Sequence, residues 1–161
     1  MLTLYLVLKW IHVVLAITAL GANITYGIWI ARSVRAPEHH AHVLRTVKFI
    51  DDRIANPAYV LLLLTGLGMV LLPAGPSLTT PWLLISLALY VVAMSLGFLM
   101  YTPALRRQIE AAEQIGVDSE QYKVTAAQGR QLGLIIGVLV VVIVFLMVVK
   151  PGFGLPAPAG P

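Results

Sequence analysis

Leu4-Tyr5-Leu6-Val7-Leu8-Lys9-Trp10-Ile11-His12-Val13-Val14-Leu15-Ala16-Ile17-Thr18-Ala19-Leu20-Gly21-Ala22-Asn23-Ile24-Thr25-Tyr26-Gly27-Ile28-Trp29-Ile30 carries a single charge, at Lys9, and no proline. A helix crossing the hydrocarbon core of a bilayer needs about 20 predominantly apolar residues, and this run is long enough. It is too long for a signal peptide, whose apolar run is about 7–15 residues behind a basic segment. Nothing basic precedes Leu4, so the run is expected to stay in the protein as a first membrane span. Three further stretches qualify or come close: residues 55–72, 81–101 and 132–149. The second begins near Ile54 with Asn56-Pro57 at its start, and the third opens on Thr80-Pro81-Trp82, proline being tolerated in a first helical turn. The fourth is almost pure Val, Ile and Leu and stops at Lys150-Pro151-Gly152. The whole chain of 161 residues agrees, being 59% hydrophobic and 11% charged, with a mean hydropathy of +0.89. A soluble domain carries about 25% charged residues. The expected fold is all-α: one integral membrane four-helix antiparallel bundle over residues 1–150, followed by a flexible Pro/Gly-rich tail over 151–161.

Charge placement orients the bundle. All eleven basic residues except Lys9 and Lys150 lie between spans one and two or between spans three and four. All seven acidic residues lie there too, while Pro73–Pro81 has no charge. By the positive-inside rule both charged loops are cytoplasmic and both termini face outward, in the cell's inner (plasma) membrane. Tyr5, Trp10 and Trp82 then form the outer aromatic belt, with Trp29, Phe49 and Tyr101 near the inner one. The charged loops read as ordered: a helix over 37–52, a continuation of span three over 106–114 stopped at Gly116, and a helix from Ser119 into span four. A pI near 9.6 from a net charge of +4 is too thin to imply nucleic acid. With no cysteine, disulfides, thiolate metal sites and covalently attached c-type haem are excluded.

One polar stripe needs explaining. At ~100° per residue, Tyr5, Lys9, His12, Ala16, Ala19, Asn23 and Tyr26 fall within about 60° of one another. Lipid cannot satisfy such a stripe, so it must face the bundle interior or a partner chain. His12 lies roughly 12 Å along the first span at a rise of ~1.5 Å per residue, and an ionisable group at that depth is a functional candidate. Matched by depth, Thr65, Gly66 and Met69 of span two and Ser86 and Tyr90 of span three come to its level. Ser86, Tyr90, Met94, Gly97 and Tyr101 recur at helical spacing. A cavity in the outer half would then be bounded by His12, Thr65, Gly66, Met69, Ser86 and Tyr90. Neutral imidazole is a haem ligand and bundle cores hold such cofactors. Ala16, Ala19 and Gly66 would let a flat macrocycle approach the backbone. Lys9 and Trp10 could reach its propionates, and Met69 could be a second axial ligand or leave the sixth position open. The alternative is that His12 only hydrogen-bonds across the bundle to a tyrosine or serine.

Leu8-Lys9-Trp10-Ile11-His12-Val13-Val14, followed by small residues and Gly21, resembles the first span of the HemJ-type protoporphyrinogen oxidases and CopD-type membrane proteins. Ala55-Asn56-Pro57-Ala58 and Leu64-Thr65-Gly66-Leu67 resemble their second span; the remainder is similar in hydropathy alone. The chain is most similar to a bacterial family of four-span integral membrane proteins related to these. The resemblance implies haem b bound through His12. Their second functional residue, a lysine in a later span, has no counterpart in spans two to four, so haem binding carries over and protoporphyrinogen oxidation does not. The expected protein is a membrane b-type haem protein, serving electron transfer, redox sensing or diatomic gas binding, with a haem-dependent oxidoreductase activity left open. Its expected partners are the lipid bilayer, a second copy in a homodimer and an electron-transfer protein. The other classes are an accessory protein without a cofactor, and, with less to support it, a small-solute or metal transporter.

Several signals are weaker. His39 and His42, at i, i+3 in Glu38-His39-His40-Ala41-His42, could bind a metal, but the segment reads as a solvated cluster. Gly129, Gly133 and Gly137 permit close helix approach, either to a second copy or within the chain. Arg32, Arg35, Arg106 and Arg107 are juxtamembrane charges suited to anionic lipid. Asp51-Asp52-Arg53 reads as a cap and salt-bridge region. No nucleotide loop, Ser/His/Asp constellation or paired intramembrane carboxylates are present, which leaves hydrolase and proton-pump functions without a basis.

Overall fold

The computed structural model describes residues 2–152 as four long helices: α1 (Leu2–Ser33), α2 (Pro37–Val70), α3 (Pro81–Gln114) and α4 (Glu120–Val149), each long and apolar enough to cross a membrane. Among the described residues there is no strand. Short connections make sequential helices antiparallel neighbours. α1 packs on α2, α3 on α4, and α1 also touches α4, while α2 meets α3 through residues 37–50 and 102–114 and scarcely within the spans. Along the spans the outward side chains are large and apolar, as at Ile17, Ile28 and Leu134, each 60% exposed or more. Such a surface is stable only against lipid. The expected tail lies, beyond Gly152, outside the described residues.

Two helices differ from expectation. Asn56-Pro57 does not start span two; α2 runs straight through from Pro37, with a π-helical turn at Asp51–Ala55. α3 does the same with a π turn at Gly97–Tyr101, immediately before Thr102-Pro103. The cause is common to both. A proline inside a helix supplies no N–H and its ring collides with the carbonyl four residues back. Widening the preceding turn relieves the clash, and Asn56 N–H bonds Asp51 O while Thr102 N–H bonds Gly97 O, each five residues back. At the other end of α2, Leu71 and Leu72 belong to a turn and not to the helix. Ends elsewhere follow the sequence. α3 begins at Pro81 as expected, although the Thr80 side chain makes no capping bond. Gly116 terminates the α3 extension at φ +100°. Ser119 caps α4, accepting from Tyr122 N–H at 3.2 Å. Lys150 ends α4 in the left-handed region at φ 48°, and its Nζ lies 5.6 Å from the centre of the Trp82 ring. That contact joins the end of α4 to the start of α3 at the uncharged end of the bundle.

The larger core lies at the charged end, beyond the spans. Leu44, Val47, Leu105, Ala111 and Tyr122 are buried there with Tyr26 and Ala55. His40, which the sequence places in a solvated histidine cluster, belongs to this core and is 2% exposed. Its alternation with Leu44 and Val47 puts it on the buried face, whereas His39 and His42 are exposed. Among the described residues no group of three His, Asp or Glu is placed to hold a metal. The Ser33 hydroxyl donates to Ile30 O at 2.9 Å, so toward His40 Nδ1, at 2.8 Å, it accepts. Nδ1 therefore carries the proton, and Nε2 accepts from the Tyr122 hydroxyl. Gln108 Nε2 in turn donates to that hydroxyl at 3.2 Å. The relay ties all four helices together through one neutral imidazole. Arg45 and Glu113, 3.2 Å apart on the surface, add a pair between α2 and α3 that is worth little on its own.

Burial holds the His40 imidazole below its usual value of 6.5, with the Ser33 contact opposing. A histidine with a lowered folded-state pKa contributes stability that is complete above the unfolded-state value of about 6.5 and is lost as pH falls through the folded-state value. The thermal unfolding temperature in detergent should therefore fall as pH is lowered from 7 through this window. His40→Ala should be less stable at pH 7 and should lack that part of the slope.

Candidate functional site

The α1 stripe does turn inward. Ala19 and Tyr26 are buried, and His12, Ala16 and Asn23 are half-buried against α2. The closest association is at His12. Its Nδ1 lies 2.9 Å from Thr65 Oγ1. Thr65 donates its hydroxyl proton to the carbonyls of Leu61 and Leu62, at 2.8 and 3.1 Å. Its oxygen can then only accept from His12, so the proton sits on Nδ1 and the Nε2 lone pair is free. Gly66 makes room for the ring: a Cβ there would stand 3.2 Å from His12 Cε1. Three of the expected residues, His12, Thr65 and Gly66, are thus one unit.

The other expected members of that cavity are placed differently. Ser86 is fully buried, but its hydroxyl donates to Trp82 O in its own helix at 2.7 Å, as hydroxyls often do in apolar helices. Ala19 packs against Ala58 and Leu62, with Ala16 beside them. The space their small side chains provide is filled by α2 and does not form a wall for a macrocycle. Lys9 and Trp10 are exposed, Trp10 by 67%. Met69 is half-buried; its carbonyl accepts from Leu72 N–H at 3.3 Å in the turn after α2.

Tyr90 reaches toward the charged end instead, where its hydroxyl donates to Tyr59 O. Tyr59 was not singled out in the sequence, yet it joins three helices: its own hydroxyl accepts from Asn23 Nδ2. Asn23 also donates to Ala19 O at 3.1 Å. The signal was present in principle, because Tyr59, Leu62, Gly66 and Met69 follow one helical face. Next to this junction is a cavity of about 40 Å3, with Asn23, Asp51, Asn56, Tyr59, Tyr90 and Tyr101 among its lining residues. It has room for a few waters and not for a macrocycle. Both π turns border it. Asn56 Nδ2 donates to Asp51 Oδ2 at 3.3 Å, and Lys48 is paired with Asp52. Tyr26 Oη is the one buried side-chain polar atom without a partner among the described residues.

Two glycines of the α4 series meet side chains of this chain. A Cβ at Gly129 would stand 3.3 Å from Gln108 Oε1, and one at Gly133 would stand 3.7 Å from Tyr101 Cε2; Gly137 faces open space.

Gly66→Ala should crowd the locked imidazole at a cost of about 1–3 kcal/mol, partly offset by the roughly 1 kcal/mol better helix propensity of alanine. Gly68→Ala is the control, since its Cβ would meet only Leu8 Cδ1 at an ordinary 3.6 Å. Thermal unfolding in detergent should rank Gly66→Ala below Gly68→Ala. The reverse order would show that the ring is free to move.

No curated protein matches the chain, and no solved structure matches it. A family model described as "Predicted integral membrane protein (DUF2269)" matches residues 6–151, a region that holds the four spans, the His12–Thr65–Gly66 unit and the Tyr59 junction. The chain belongs to this family of integral membrane proteins.

Proposed function

We propose that the protein is a membrane-embedded b-type haem protein in which His12 is an axial ligand, serving electron transfer, redox sensing or diatomic gas binding. The observation that carries this reading is the 2.9 Å contact of His12 Nδ1 with Thr65 Oγ1, whose hydroxyl also lies within reach of the Leu61 and Leu62 carbonyls. A histidine that ligates a metal commonly donates its other ring N–H to an oxygen, which sets the ring's orientation and raises its basicity. Thr65 supplies that oxygen here, and Gly66 admits the ring. Haem bound there would supply one-electron redox chemistry and, with an open sixth position, a site for a small gas. The residues present fit the donor chemistry at Nε2, while Ala16 and Ala19 face α2 and take no part. His12 and Thr65 would hold the iron ligand in place, and the surrounding apolar helices would limit access of water.

In this reading the basic loops lie in the cytoplasm and both termini outside, in the plasma membrane, by the positive-inside rule. A homodimer and a redox partner complete it. A second reading is a membrane accessory protein without cofactor. It is favoured by the same bonds, since His12–Thr65 and Asn23–Tyr59 join α1 to α2 whether or not a ligand is present.

A visible spectrum of detergent-purified protein from haem-replete cells separates the two. A Soret band, with sharp α and β bands after dithionite, supports the haem reading. His12→Ala should abolish these bands while the protein remains folded by circular dichroism, and Thr65→Val should weaken haem retention about 10–100-fold. A colourless protein under these conditions overturns the haem reading, and the accessory reading takes its place.

A further inference from the structure

Where α1 passes into α2 the chain makes a tight turn. Arg35 N–H bonds Arg32 O at 3.3 Å, and Ala36 N–H bonds Ser33 O at 3.0 Å. This turn leaves an open groove of about 330 Å3, lined by Trp29, Arg32, Ser33, Arg35, His39 and Val43 among others. Three independent features of the groove favour a negatively charged occupant. Arg32 and Arg35 are exposed, and neither has a carboxylate within 4.0 Å among the described residues, unlike Arg45 on the same end of the bundle. The first turn of α2 adjoins the groove with no side-chain cap and Pro37 in its opening turn, so part of its positive end is unmet. His39 adds a third nitrogen-bearing group. The acidic residue of this segment, Glu38, is exposed, 4.0 Å from His39, and does not line the groove.

Depth decides which anion. Trp29 stands one turn before Arg32 at the end of the apolar part of α1 and is 56% exposed. Tryptophan in that position marks the headgroup level of a bilayer. One wall of the groove is apolar, formed by Trp29 and Val43, and the other is cationic. The volume falls at the lower end of ligand sites, about 300–1,000 Å3. A phosphodiester with its glycerol fits that pairing of walls. We propose that this groove is a discrete site for the phosphate of one anionic phospholipid, held by Arg32 and Arg35 with the glycerol against Trp29 and Val43. The second basic pair, Arg106 and Arg107, does not line this groove. The proposal is independent of whether haem is bound.

The test uses the full chain in a neutral detergent, titrated with phosphatidylglycerol or phosphatidylcholine and read by thermal unfolding and native mass spectrometry. A saturable rise in Tm with phosphatidylglycerol alone, at one retained lipid per chain, is expected. Arg32→Gln/Arg35→Gln should weaken it about thirtyfold, at the usual contribution of two interfacial arginines. Arg32→Lys/Arg35→Lys should retain part of it, since lysine keeps the charge but loses the paired N–H fork. Arg106→Gln/Arg107→Gln should leave it within about twofold. Equal loss in the Arg106/Arg107 variant, or an equal effect of phosphatidylcholine, would overturn the site in favour of diffuse attraction. Displacement of the lipid by millimolar inorganic phosphate would overturn the lipid as occupant and point to a soluble phosphate ligand. The unfolding temperatures without lipid report whether each variant is folded.

Discussion

Hydrocarbon offers no hydrogen bonds, and the arrangement of this bundle follows from that constraint. Helix α1 carries a histidine and an asparagine on one face, and both find a partner within the protein. His12 and Asn23 find theirs on α2, at Thr65 and Tyr59. Those two bonds, a little over three helical turns apart, fix both the rotation and the register of α1 against α2. Each such bond contributes modestly, on the order of 0.6 kcal/mol on average in a membrane protein. Their value is in specificity, because a rotated or shifted helix would leave them unmade. Between them Ala19 and Ala58 allow the backbones to approach closely. Within the spans, where α2 and α3 scarcely meet, Tyr90 bridges them by reaching the Tyr59 carbonyl.

The molecule is held together differently in its two halves. Within the spans, burial of apolar surface gives little drive, since lipid is as apolar as leucine, and small residues with paired polar groups do the joining. At the charged end, extensions of α2, α3 and α4 stand outside the hydrocarbon, and a conventional core forms from Leu44, Val47, Leu105, Ala111 and Tyr122. There the driving force is removal of apolar area from water. The His40 relay lies on this core and joins Ser33 of α1 to Tyr122 of α4. All four helices are thereby clamped together at one end.

The four helices, the inward face of α1, the helix starting near Ser119 and the stop at Gly116 could all be read from the sequence, because each depends on local composition or on a short repeat. So could the unit of His12, Thr65 and Gly66, which needed only depth matching between two antiparallel helices. The rest depends on rotation between helices, which one strand of text does not contain. Ser86 and Tyr90 share a face of α3, yet one hydroxyl bonds its own helix and the other reaches Tyr59. His40 is indistinguishable from its neighbours by composition, and only the i, i+4, i+7 alternation with Leu44 and Val47 sets it apart. Asn56-Pro57 reads as a helix start because proline is commonest there. The structure shows the other outcome, a helix that continues by widening.

The widened turn in α2 also sets a phase. It separates the part of the helix that is buried in the core at the charged end from the part that is buried against α1 within the spans, and each part has its own inward face. Removing one residue from Asp51–Ala55 would turn everything before it by roughly 100° relative to the span. His40 and Leu44 would leave the core, and the exposed His39 and Thr46 would turn into it. The span itself would remain as apolar as before and would still insert. In this helix length is therefore a coded quantity, and a deletion that leaves hydropathy untouched would dismantle the charged end of the protein.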